Sequence, residues 1–116
     1  MAYEKPDVLV IESDADERQK TASLLASQGY GLRCVRTRNE ALKFLKDPRY
    51  DYVLMDADVF GMPAGEFLAK LEKQMGETEV VLVTADPKAA DMARKLNISR
   101  CLVKPYTDAE LARVLL

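Results

Sequence analysis

Four short, nearly unbroken apolar runs constrain this chain more than anything else in it. They are Val8-Leu9-Val10-Ile11, Tyr52-Val53-Leu54-Met55, Val80-Val81-Leu82-Val83 and Cys101-Leu102-Val103. A strand with one wet face alternates polar and apolar residues. These do not, so they predict parallel strands covered on both sides. A weaker fifth run, Leu32–Val35, contains Arg33 and follows Gly29 and Gly31.

The segments between the runs carry helix patterns. The first helix is predicted from about Ala15 to Gln28, burying Ala15, Ala22, Leu25 and Ala26, with Gly29 as its stop. Thr37-Arg38-Asn39-Glu40 reads as a capping box for a second helix that buries Ala41, Leu42 and Leu45. A third places Leu68, Leu71 and Met75 on one face and ends at Gly76. Asp86-Pro87 supplies an N-cap and a first-turn proline before Ala89, Ala93 and Leu96. Thr107-Asp108-Ala109-Glu110 is a second capping box, before Leu111, Val114 and Leu115. The order is strand-helix five times, which implies a parallel sheet with helices on both faces. At 116 residues the chain has about half the length of a closed eight-stranded barrel. The expected fold is therefore α/β, an open, doubly wound, five-stranded parallel sheet in the flavodoxin-like order 2-1-3-4-5. The last helix runs out at Val114-Leu115-Leu116 without a stop signal, which fits either a chain cut from something longer or a helix that is merely short.

Composition removes several function classes. The chain has no histidine, which excludes Ser-His-Asp and Cys-His catalysis, an imidazole zinc site and a phosphohistidine of its own. Its 17 basic and 19 acidic residues give a net charge of −2, a balance that argues against direct nucleic-acid binding or an anionic membrane as partner. No apolar run approaches the roughly 20 residues of a membrane span, and the first six residues do not read as a signal peptide. Cys34 and Cys101 form no C-x-x-C pair and suggest a reducing, cytoplasmic setting. Their strands are expected at opposite edges of the sheet, too far apart for a disulfide.

In open α/β sheets, ligands sit beyond the carboxyl ends of the strands, where strand order reverses. Glu12, Ser13 and Asp14 follow the first run, Asp56 the third, Thr84 the fourth and Lys104 the fifth. The 2-1-3-4-5 order puts Glu12 beside Asp56, with Thr84 and Lys104 converging from the other side. Such a group suits phosphoryl chemistry on a carboxylate. Asp56 is the candidate nucleophile, and Glu12 helps hold a hard divalent cation. Lys104 offsets the charge of the phosphorylated side chain, and Thr84 donates a hydrogen bond to it.

These residues, in order and at their spacing, resemble the response-regulator receiver family over essentially the whole chain. The resemblance rests on Val8-Leu9-Val10-Ile11-Glu12-Ser13-Asp14, Asp51-Tyr52-Val53-Leu54-Met55-Asp56, Gly61-Met62, Thr84-Ala85 and Lys104-Pro105-Tyr106. It implies one receiver-like domain over residues 1–116, excised from or N-terminal in a longer protein. It implies two-component signal transduction: Asp56 accepts phosphate from a histidine kinase or phosphotransfer protein, and the domain relays it to a downstream effector domain or protein. The domain is then regulatory, with at most self-phosphorylation and self-dephosphorylation at Asp56. Magnesium is implied at Glu12, Asp56 and the backbone carbonyl of Asp58. Thr84 and Lys104 are implied to sense the phosphate, and the bond before Pro105 to be cis.

The chain departs from that family at three positions. Ser13 stands where the family has a second acid that contacts the metal, so magnesium binding is expected to be weakened or lost. Phe60 replaces a usual proline. Cys101 replaces the aromatic residue that reports the switch, with Tyr106 as a candidate substitute. Simpler roles exist for single residues. Ser13 with Asp16 fits a helix N-cap, Asp14, Asp16 and Glu17 complement the positive end of the first helix, and Lys104 alone reads as a solvated charge. Two alternatives follow. One is a pseudo-receiver, an interaction module independent of phosphate. The other is a haloacid-dehalogenase-type phosphohydrolase, from Asp56-Ala57-Asp58, although here too few residues follow Lys104 to carry that family's metal-binding acids. Flavin binding is disfavoured by the acidic loop from Glu12 to Asp16, which repels phosphate.

Overall fold

Alternate residues of each apolar run lie on opposite faces of one sheet, and both faces are roofed by helices. A computed structural model describes residues 5–45, 50–59, 61–74 and 77–116; Phe60, Met75 and Gly76 lie outside them. The strands are β1 (Asp7–Ile11), β2 (Gly31–Val35), β3 (Tyr52–Asp56), β4 (Glu79–Thr84) and β5 (Arg100–Val103). The helices are α1 (Ala15–Ser27), α2 (Arg38–Phe44), α3 (Ala64–Gln74), α4 (Ala89–Lys95) and α5 (Asp108–Val114). All strands are parallel, in the order β2-β1-β3-β4-β5. This is the doubly wound, flavodoxin-like sheet that the alternation predicts.

Leu9, Ile11, Val53, Met55 and Leu82 pack with Ala41, Phe67, Leu71 and Ala93 of α2, α3 and α4. Val8, Val10, Leu54, Val81 and Val83 pack with Leu25, Leu111 and Leu115 on the α1 and α5 side. Two cores, one per face, account for the missing polar alternation of β1, β3 and β4; on the edge strand β5, also expected to be covered on both sides, Val103 is exposed. The cysteines are free, on β2 and β5 at opposite edges.

Four local expectations are corrected. The N-cap of α1 is Asp14, whose carboxylate accepts from the amides of Asp16 and Glu17. Ser13 instead donates its hydroxyl proton to the Arg36 carbonyl at 2.9 Å. The buried residues of α1 are Thr21 and Leu25, while Ala15 and Ala26 are exposed. The α4 helix starts later than Asp86-Pro87 suggests. Asp86 accepts from the Lys88 amide in a separate turn, and the helix begins at Ala89. The Thr107–Glu110 capping box is complete, whereas at Thr37 only the bond from the Glu40 amide to the threonine hydroxyl is present.

The Gly29 stop is a Schellman motif. Gly29 has φ +87, its amide bonds to Ala26 O, and the Tyr30 amide reaches back to Leu25 O. The α4 helix ends the same way at Asn97, with φ 59.

Candidate functional site

Parallel strands of similar length end together, so the residues after β1, β3, β4 and β5 meet at one edge of the sheet. Register places Ile11 opposite Met55, and Asp56 opposite Val83. Glu12, Asp56 and Thr84 are buried polar residues at these ends. An acid is held there only if its charge is answered.

The answer is Lys104. Its Nζ donates to Glu12 Oε1 at 2.7 Å and also to Asp56 Oδ2. The other Asp56 oxygen accepts from the Asp58 amide at 2.8 Å, and Glu12 Oε2 accepts from the Asp14 amide at 3.2 Å. Burial alone would raise the Asp56 carboxyl, but the Lys104 ammonium and the Asp58 amide hold it below the usual carboxylate range. Burial and the neighbouring Asp56 push Glu12 up, against the pull of Lys104. Burial would lower Lys104, yet the two carboxylates raise it well above its ordinary value. Asp56 thus keeps its charge to lower pH than Glu12 does.

The sequence-predicted residues divide. Glu12, Asp56 and Lys104 form one ion-paired cluster. Thr84 lies beside it on β4, but its hydroxyl accepts from the Asp86 amide at 3.1 Å and shapes the following turn. The Ser13 hydroxyl is engaged with Arg36 O. The Asp58 side chain is exposed. The Lys104–Pro105 bond is cis, as the family resemblance implied. Tyr106 hydrogen-bonds Thr21 at 2.6 Å and packs in the α1–α5 core, whereas Cys101 packs in the core of the opposite face. Tyr106 therefore does not occupy the place of the missing aromatic.

The residues that could hold a hard cation here are Glu12 and Asp56 through their carboxylates, with the Asp58 carbonyl as the third expected donor. Among the described residues no group of three carboxylate or cysteine side chains converges. Magnesium takes one or two carboxylates and completes its shell with water, so the set fits it, with one charge fewer than the family pattern carries.

Sequence reasoning missed Arg38 and Asn39. Arg38, the first residue of α2, is 5% exposed and directs its guanidinium at the backbone following β3. An arginine in a first helical turn reads as a solvated charge, and nothing in its neighbourhood signals otherwise. Gly61 carried a signal: φ is +104, and a Cβ there would sit 2.3 Å from Asn39 Oδ1.

Comparison with known proteins agrees with this geometry. The chain is 27% identical over 110 residues to the uncharacterized transcriptional regulatory protein YkoG of Bacillus subtilis, covering 93% of this chain and 48% of that protein. It thus spans about half the length of that relative. Its fold superposes on the signal receiver domain of an HD domain-containing protein from Pseudomonas fluorescens Pf-5, with TM-score 0.82, 30% identity, and coverage of 96% and 91% of the two chains. It also superposes on the receiver domain of sensor histidine kinase PA1611 from Pseudomonas aeruginosa PAO1, solved with magnesium in the active site cleft. There the TM-score is 0.85 at 23% identity, covering 96% and 94%. Among the described residues no helix is long and apolar enough to cross a membrane. The family model of the response regulator receiver domain matches residues 8–116, and with the strand order and strand-end acids above it makes this chain a member of the response-regulator receiver family of two-component signal transduction.

Proposed function

We propose that Asp56 is a phosphoacceptor, receiving a phosphoryl group from a phosphohistidine on a partner histidine kinase or phosphotransfer protein. The observation that carries this reading is the Asp56 carboxylate itself: buried, ionised, and held at a strand end by Lys104 and the Asp58 amide. In the transfer a carboxylate oxygen of Asp56 forms a bond to phosphorus as the phosphorus–nitrogen bond breaks, and the histidine leaves with the electron pair. Lys104 stays with the new anion and offsets its charge. Thr84, one strand away, exchanges its bond from the Asp86 amide for one donated to the phosphoryl oxygens. Magnesium, held by Glu12, Asp56 and the Asp58 carbonyl, would neutralise the phosphoryl oxygens when bound. Its affinity is reduced because Ser13 adds no charge. The site acts on its own side chain, so the domain is a regulator rather than a turnover enzyme. Its output passes to an effector domain or protein, in a cytoplasmic setting that suits the two free cysteines.

Incubation with acetyl phosphate and magnesium, followed by intact mass measurement, tests this. The wild type gains one phosphoryl group and Asp56→Ala gains none. No gain on wild type, or an equal gain on Asp56→Ala, overturns the assignment.

The bound state of Ser13 favours one second reading. With its hydroxyl committed to Arg36 O and only two carboxylates at the site, the domain would work as an interaction module independent of phosphate. The same mass measurement separates the two. The phosphohydrolase alternative loses its footing, because the D-x-D pattern sits on the third strand and Asp58 is exposed.

A further inference from the structure

Arg38 stands out among the charged residues the site does not use. It opens α2, yet its guanidinium is buried. Nη1 donates to Met62 O at 2.9 Å, and Nη2 to Ala57 O at 3.3 Å and Asp56 O at 3.4 Å. Nε faces Met55 Sδ at 3.3 Å. Next to it, Asn39 Oδ1 accepts from the Met62 amide at 2.8 Å. Two neighbouring residues of α2 therefore grip both ends of the segment between β3 and α3, the one that follows Asp56 and contains Asp58.

We infer that Arg38 is a positioning residue for the Asp56 loop, a role that rests on Asp56 being the phosphoacceptor. A buried cation is tolerated only when its donors are used. Here neutral backbone carbonyls use them, so the guanidinium keeps its partners only while the loop keeps this path. The planar fork spans carbonyls from both ends of the loop at once, which one ammonium does not do. The loop and the first turn of α2 are thereby fixed to one another, and the Asp58 carbonyl is held in register with Asp56. A direct electrostatic role would leave a different signature. Arg38 is a positive charge near a cation site, so through charge alone its removal tightens magnesium. Through position, its removal loosens magnesium.

Magnesium titration followed by the amide resonances of Asp58 and Met62, with hydrogen exchange across residues 57–62, separates the two. In Arg38→Met and Arg38→Lys, magnesium affinity is expected to fall about tenfold, as for other residues that orient metal ligands. Faster exchange is expected to be confined to that loop. Affinity in Arg38→Met equal to or tighter than wild type overturns the inference, as does full rescue by Arg38→Lys. Should both variants fail to fold, Asn39→Ala carries the test from the exposed side of the same grip. It is expected to weaken magnesium by a smaller factor and to speed Met62 exchange, and wild-type values for both overturn the inference. If the wild type takes no phosphoryl group, the Asp56 reading fails by itself. Loop exchange in the Arg38 variants still decides the grip.

Discussion

The two loops that build this site are braced in opposite ways. After β1, the polar side chains serve the scaffold: Ser13 is tied to Arg36 O, Asp14 caps α1, and Arg18 Nη1 donates to the carbonyls of Glu12 and Ser13 at 2.9 Å each. Glu12 pairs with Lys104 in the cluster. After β3, Asp56 turns its carboxylate to Lys104 and the Asp58 amide, and the bracing comes from outside, through Arg38 and Asn39 of α2. On the proposed reading the acceptor half keeps its residues, while the cation half has Ser13 where the family pattern has an acid.

The largest test of that contrast is to remove the ion that joins the halves. In wild type, the depressed Asp56 stabilises the fold above the ordinary carboxylate range, and this is lost as pH falls through and below that range. The raised Lys104 contributes fully below the ordinary lysine range, and this is lost as pH rises through and above that range. Lys104→Met leaves Glu12 and Asp56 facing each other unpaired. It should cost about 2 kcal/mol at neutral pH, less than a fully buried pair because Lys104 is partly solvated. Both carboxyls then rise, so the variant regains more stability than wild type as pH falls toward about 5, because in wild type only Glu12 is raised. Urea midpoints at the two pH values measure this, and a variant that loses stability on acidification contradicts the ion-pair account.

A smaller effect is expected on the braced side. Asp14→Ala removes the α1 cap and should cost about 1 kcal/mol in a thermal or urea melt, with the level of acetyl phosphate labelling unchanged. A loss of labelling in a folded Asp14→Ala protein would place Asp14 at the cation site and dissolve the contrast between the loops.

The sheet was legible because strands buried on both faces must be apolar along their interiors, and β1, β3 and β4 are polar only at end residues: Asp7, Asp56, Glu79 and Thr84. The cluster was legible because a parallel sheet gathers its strand ends, so Glu12, Asp56 and Lys104 could be placed before any coordinates. Capping was legible only where one candidate existed. Thr107 had no rival, whereas Ser13 and Asp14 are adjacent and both suited, and the longer carboxylate took two amides. The buried face of α1 was misjudged because Thr21 counts as polar; its hydroxyl is answered by Tyr106, 85 residues away. Arg38 was invisible for the same reason. Its partners are backbone carbonyls and one thioether, 17 to 24 residues distant, and no residue type announces them.

The account turns on an intact acceptor beside a thinned cation site, and one titration addresses both. The rate of Asp56 labelling by acetyl phosphate is measured against magnesium concentration for wild type and Ser13→Asp. The account predicts labelling in both proteins to the same extent, with Ser13→Asp half-saturating at about tenfold less magnesium because it restores a carboxylate ligand. Superimposable curves, or no labelling of wild type at any magnesium concentration, would contradict it.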